Sequence, residues 1–150
     1  MYDNALPSGN QFVLGWLRRL GELGGEKTYH HAVRSRLAGL WPNVLKYPSS
    51  FAGWGRLGLL LSQPARVLVI TGKGAEAAAA QVQTQYYPDL AIVATETERH
   101  TFSLTKDRYL SGGKLQFYLC EGQSCSLPVG ALEQVLLPNY GVEELGRTKI

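Results

Sequence analysis

The hydrophobic period of the chain changes once, at Gln63-Pro64-Ala65, and that change limits the folds open to it. Before it, apolar residues recur at helical spacing. After it comes Arg66-Val67-Leu68-Val69-Ile70-Thr71, a short β-branched run of the kind that forms a strand covered on both faces. The junction is too short for a flexible linker, so the two parts are expected to pack together. They divide the chain into residues 1–63 and 64–150.

The first part predicts three helices. Ser8-Gly9-Asn10-Gln11 has the form of a capping box, with Ser8 taking a free amide and Gln11 reaching back. Val13, Trp16, Leu17 and Leu20 follow at helical spacing, and Phe12, Leu14 and Leu23 widen the apolar surface. This helix is therefore expected to be buried on most sides, ending at Gly24-Gly25. A second helix is expected from Glu26 to Trp41, with Tyr29, Val33, Leu37 and Leu40 inward and Pro42 as its limit. A third begins near Ser49 or Ser50 and carries Phe51, Trp54, Leu57, Leu60 and Leu61. Its glycines lower helix propensity but let neighbouring helices approach closely.

The second part reads as a small parallel α/β layer. After the first strand, Gly72-Lys73-Gly74 turns the chain into an alanine-rich helix, Ala75 to about Tyr87. Leu90 to Ala94 and Leu115 to Cys120 are the second and third strands. Thr95 to Gly113 is polar, with a helical turn around Leu104 to Leu110. A last short helix is expected from Gly130 to Leu137, stopped by Pro138.

Composition excludes several classes. The 150 residues are 45% hydrophobic and 18% charged, an ordinary globular balance, and a chain this long can bury roughly 70% of its unfolded surface. No apolar run reaches the length of a membrane span, and Met1-Tyr2-Asp3-Asn4 does not open like a signal peptide. Two cysteines make no disulfide scaffold. A soluble protein of a reducing compartment, the cytoplasm, is expected. The net charge is +3, but the basic residues are interspersed with acidic ones and form no stripe, so no nucleic-acid partner is expected.

Four groups of residues are candidates for chemistry. Gly72 and Gly74 open a G-x-G-x-x-A pattern between strand and helix, with Glu96 or Glu98 placed where a ribose-binding acid would sit. Such a loop lets a pyrophosphate approach free helix amides. A plain tight turn needs the same glycines. Cys120 and Cys125 stand as C-x4-C at a strand end. Two free, partly buried thiols are the expected state, with redox pairing the alternative. The adjacent His30 and His31 point about 100° apart on a helix and suit packing or surface roles, so no metal site and no cofactor are expected. Asp3, Ser8 and Asn10 gather at the start of the first helix, where they either cap it or face a cavity at its mouth.

Several of these stretches resemble one family. Tyr2-Asp3-Asn4-Ala5-Leu6-Pro7-Ser8-Gly9-Asn10 is similar to the "YDxAxPSGN" segment of the YyaL-like, thioredoxin-domain-containing proteins, relatives of the spermatogenesis-associated thioredoxin-like proteins. Tyr118-Leu119-Cys120 with Cys125-Ser126-Leu127-Pro128-Val129 resembles their "YVC....C..PV" signature. Arg66 to Gly72 resembles their "xVVIVG" strand, and Tyr86-Tyr87-Pro88-Asp89 their "xYLPN" turn. The order and spacing agree along nearly the whole chain.

The resemblance implies a C-terminal portion. Family members are several times longer, beginning with a thioredoxin-like domain that bears C-x-x-C, followed by an α/α toroid similar to N-acylglucosamine 2-epimerases and six-hairpin glycosidases. The chain then holds the last three toroid helices and a three-stranded parallel α/β layer. By that analogy Asp3, Ser8 and Asn10 line the cavity, and a carbohydrate reaction belongs to the parent if it is an enzyme. An incomplete ring would expose Phe12, Trp16 and Trp54, inviting self-association or the missing thioredoxin-like and toroid portions as partners. A nucleotide-binding module and a docking module for a thioredoxin-like partner, through Cys120 or Cys125, are the alternatives.

Overall fold

The computed structural model describes residues 3, 6–87, 89–98, 103–109, 112–122 and 124–135. The chain is α/β, with helices α1 (Gly9–Gly24), α2 (Lys27–Lys46) and α3 (Ala52–Ser62) preceding β1 (Arg66–Thr71), α4 (Ala75–Gln83), β2 (Leu90–Thr95), β3 (Gln116–Glu121) and β4 (Ser124–Cys125). A 3-10 turn over Pro48–Phe51 leads into α3. Among the described residues no helix is long and apolar enough to cross a membrane.

α1 starts where the capping residues place it. Ser8 is its N-cap, and its hydroxyl accepts from the Gln11 amide at 3.3 Å. Gly25 closes the helix in the left-handed conformation, with φ 73°. The expected burial is corrected, because α1 has two apolar faces and only one meets the core. Leu14 and Leu17 pack on the helical core and Leu23 on the sheet. Of the three aromatic residues expected at an exposed surface, Phe12 and Trp16 are 59% and 57% exposed. Trp54 departs from that expectation: it is 1% exposed, at the centre of a cluster with Val33, Leu37, Val44, Phe51, Leu57 and Leu61.

Pro42 does not end the second helix. α2 continues to Lys46 and buries Val44 beyond the proline. The ring removes one amide from the ladder, at a cost of about 3 kcal/mol, and packing of the last turn under α3 offsets it. The expected close approach occurs at Gly58, where an added Cβ would lie 2.5 Å from the Trp41 ring.

The sheet is mixed, not parallel. Its order is β2-β1-β3-β4, with β1 parallel to β2 but antiparallel to β3. The direction follows from the connection. Thr95 and Gln116 both pair with Thr71, so the chain leaves β2 and enters β3 at the same end of the sheet. A parallel third strand needs a helical crossover to the far end. Among its described residues, the polar segment after Thr95 supplies only a turn over residues 103–107. The fourth strand is an addition, formed when Gly122, at φ 61°, folds the chain back so that Glu121 meets Ser124 and Cys120 meets Cys125.

Both faces of the sheet are covered. Leu68, Ile70, Phe117 and Leu119 pack under Ala75, Ala79 and Val82 of α4, with Val135 beside them. Val67, Val69, Ala91, Tyr118 and Cys120 form the other face, beneath Leu23 and Leu104. The last expected helix is described only through Val135, where residues 133–135 are helical; Leu137 and Pro138 lie outside the described residues. So does Leu110, at the end of the expected turn.

Candidate functional site

The first candidate group joins two helix starts. Asp3 Oδ1 accepts from the Ser8 amide at 2.9 Å, and Oδ2 accepts from the Gly53 amide at 2.7 Å. The Asp3 amide donates to Ser50 O at 2.8 Å, and Gln11 Nε2 donates to Gly53 O at 3.3 Å. One carboxylate thus meets free amides at the starts of α1 and α3, where helix dipoles favour negative charge. Both oxygens of Asp3 and the Ser8 hydroxyl are engaged in capping. Asn10 stands apart from this network and borders a groove of about 770 Å3 with Leu14, Ser35, Arg36 and Trp54.

The second candidate is the glycine loop after β1. Gly72 has φ 106°, and an added Cβ would lie 2.3 Å from Lys114 O. That glycine lets two loops of the chain approach each other. The loop amides are also engaged: Gly72 N donates to Thr95 O, Lys73 N to Gly113 O and Ala75 N to Gly72 O, at 2.9 to 3.1 Å. Gly74 N donates to Glu96 Oε1 at 3.0 Å. Glu96 is one of the two acids, with Glu98, expected at a ribose; its carboxylate instead lies where an incoming phosphate oxygen would be held. Tyr109 fixes this arrangement by donating its hydroxyl to Glu96 O at 2.8 Å.

The third candidate is brought together. Cys120 and Cys125 face each other across the β3–β4 ladder and are joined as a disulfide. The expectation of two free thiols is corrected. A two-position loop between Glu121 and Ser124 sets Cys120 opposite Cys125, so the geometry of a tight hairpin dictates the pairing. The Cys-Glu-Gly-x-Ser-Cys spacing carried that signal, because the glycine marks a two-residue turn.

The two sulfurs differ in setting. Cys120 is 2% exposed on the inner face of the sheet. Cys125 is half-buried at the margin of the same face, on the edge strand β4; a groove of about 350 Å3 beside that strand is lined by Leu119, Val129 and Val135 of the α4 face. Arg108 Nη2 approaches Cys125 Sγ at 3.2 Å. Sequence reasoning missed this arginine, which sits in a polar connection with no periodicity to mark it.

Arg108 is held from several sides. Its Nη1 donates to Leu104 O at 2.6 Å and to Ser103 O at 3.2 Å. Its own carbonyl accepts from Thr71 Oγ1 at 2.7 Å and from the Tyr118 hydroxyl at 3.1 Å. Among the described residues no carboxylate pairs with it, so its charge is left to act on the sulfur. Burial raises the Tyr118 phenol above its usual range, with Arg108 opposing, so the hydroxyl stays protonated and donating.

A buried ion cluster lies on α1. Arg18, 5% exposed, pairs with Glu22, which Arg19 also approaches at 3.5 Å. Burial lowers Arg18 and raises Glu22, while each partner's charge pulls the other way. Beside it, His30 fills the space left by Gly21, its ring 3.1 Å from where a Cβ would lie. His30 is therefore a packing residue and His31 is exposed. Among the described residues no three His, Cys, Asp or Glu side chains gather into a metal-binding group.

No family model, no curated protein and no solved structure matches this chain.

Proposed function

We propose that the chain is the C-terminal portion of a YyaL-like protein, and that its Cys120–Cys125 disulfide is the point of exchange with a thioredoxin-like partner or domain. One observation carries the reading: a disulfide whose Cys125 is half-buried on the edge strand, with an arginine at 3.2 Å from its sulfur. Thiol–disulfide exchange needs an accessible sulfur and an environment that favours the thiolate, and a neighbouring guanidinium supplies the second. On this reading α1, α2 and α3 are the last helices of an α/α toroid, and the exposed Phe12 and Trp16 meet the rest of the ring or a second copy.

The test is a pull-down with a thioredoxin-like protein whose resolving cysteine is serine. Replacing both Cys120 and Cys125 with serine is expected to abolish the covalent complex and weaken capture. Unchanged capture removes the thiol role.

One observation favours a second reading for the parent protein. Asn10 borders a groove at the start of α1, the place where a toroid cavity is expected, with Ser35 and Arg36 as further polar groups. A carbohydrate substrate would then protect the full-length protein against heat, and failure across a broad sugar panel counts against it. The nucleotide alternative has less support, because Glu96 and neighbouring carbonyls already engage the loop amides that a phosphate would use.

A further inference from the structure

Within the thiol-exchange reading, on which this inference rests, we infer that Cys125 is the sulfur attacked and that Arg108 is the residue that activates it toward a protein dithiol. An attacking thiolate must approach a disulfide in line with the S–S bond, from the side opposite the leaving sulfur. Cys120 is 2% exposed on the inner face of the sheet, opposite Val67, which leaves no such approach. Cys125 is half-buried on β4, the edge strand of the sheet, so the side opposite Cys120 is the sheet edge.

The exchange balances as two displacements. A thiolate of the partner dithiol bonds to Cys125 Sγ, the Cys120–Cys125 bond breaks, and its electron pair leaves on Cys120 Sγ, which takes a proton from water. The partner's second thiolate then attacks its own half of the mixed disulfide and releases Cys125 as a thiolate. The partner is oxidised by two electrons and this chain is reduced by two. Negative charge develops at Cys125 Sγ in both steps, as the central sulfur of the first displacement and the leaving sulfur of the second. The Arg108 guanidinium, at 3.2 Å and unpaired with any described carboxylate, lies where that charge develops. Glu121, next to Cys120 in β3, is itself paired with Arg66 at 2.9 Å.

The size of the effect follows from the Brønsted dependence of exchange. Loss of a cation that depresses a thiol pKa by about one to two units slows exchange roughly threefold to tenfold. Arg108 also holds the carbonyls of Ser103 and Leu104, so a variant alone would confuse charge with folding. Two measurements separate them.

In the first, a thioredoxin with its resolving cysteine changed to serine is trapped on the wild-type chain, and the mixed disulfide is mapped by mass spectrometry. The adduct is expected on Cys125. An adduct on Cys120 overturns this inference while leaving the exchange reading intact, and no adduct on either cysteine overturns both. In the second, the wild-type disulfide is reduced at low salt by mercaptoethanesulfonate, mercaptoethanol and cysteamine, with rates compared per thiolate. The anionic reagent is expected to be fastest and the cationic one slowest. Arg108→Gln should erase that order and slow reduction roughly threefold to tenfold, while Arg108→Lys retains the order. Equal rates for the three reagents on the wild-type chain overturn the role of Arg108.

Discussion

Two loops of the sheet invite opposite conclusions from sequence and structure. The glycine loop after β1 has a recognisable anion-binding pattern, yet its amides are engaged by Glu96, Gly113, Thr95 and Gly72. The β3–β4 hairpin has only two cysteines at an unusual spacing, yet it holds a half-buried disulfide at the sheet edge beside a positive charge. The difference teaches that a motif's chemistry depends on which of its donors and acceptors are already taken. Glycine in the first loop serves contact between loops. Glycine in the second brings two sulfurs together.

The largest effect expected from disturbing this contrast is at Gly72. Its positive φ and its contact with Lys114 O leave no room for a side chain, so Gly72→Ala should lose about 3 kcal/mol or more in urea unfolding. A loss under about 1 kcal/mol would mean that the loop is not pinned as described. Next, the double replacement of Cys120 and Cys125 by serine closes no loop in the unfolded chain and should cost about 2 kcal/mol. Reduction of the wild-type chain should produce a similar loss. A destabilised variant beside an unaffected reduced chain would separate packing from the crosslink.

Smaller effects probe the glycine loop as a site. Glu96→Ala removes the acceptor for Gly74 N and should cost at most about 1 kcal/mol, because water can replace the exposed carboxylate. A much larger loss would show that water does not replace the carboxylate at Gly74 N. The smallest expected response is none: equilibrium dialysis against NAD, NADP, ATP and FMN should detect no binding tighter than about 1 mM. Tighter binding of any of these would break the contrast and restore the phosphate-loop reading.

Much of the fold was legible before the structure. Ser8 and Gly25 bound α1, and the β-branched run 66–71 and the alanine-rich run after Gly74 form β1 and α4. These elements are fixed by local chemistry: a capping hydroxyl, a left-handed glycine, a change of period. What failed depended on partners. Periodicity cannot say which of two apolar faces of α1 turns inward, and the chosen face buries Arg18 while exposing Trp16. It cannot give strand direction either, because β3 reads the same in both orientations. Pro42 was read by its local cost, without the Val44 packing that opposes it.

The candidate site was legible only in part. Asp3 and Ser8 act as caps, one of the two roles their position suggested, and Asn10 alone reaches a groove. The cysteines were recognised, but their pairing was not, because a two-residue strand shows no alternation. Arg108 left no trace in the pattern; it reaches Cys125 only through the tertiary course of a polar connection.

The most direct test compares the rates at which a thioredoxin and dithiothreitol reduce the Cys120–Cys125 bond in the native chain. The protein dithiol is expected to be faster per dithiol, because its docked thiolate meets Cys125 at the sheet edge beside the charge of Arg108. A thioredoxin that reduces the bond no faster than dithiothreitol would contradict it and leave the disulfide a structural crosslink.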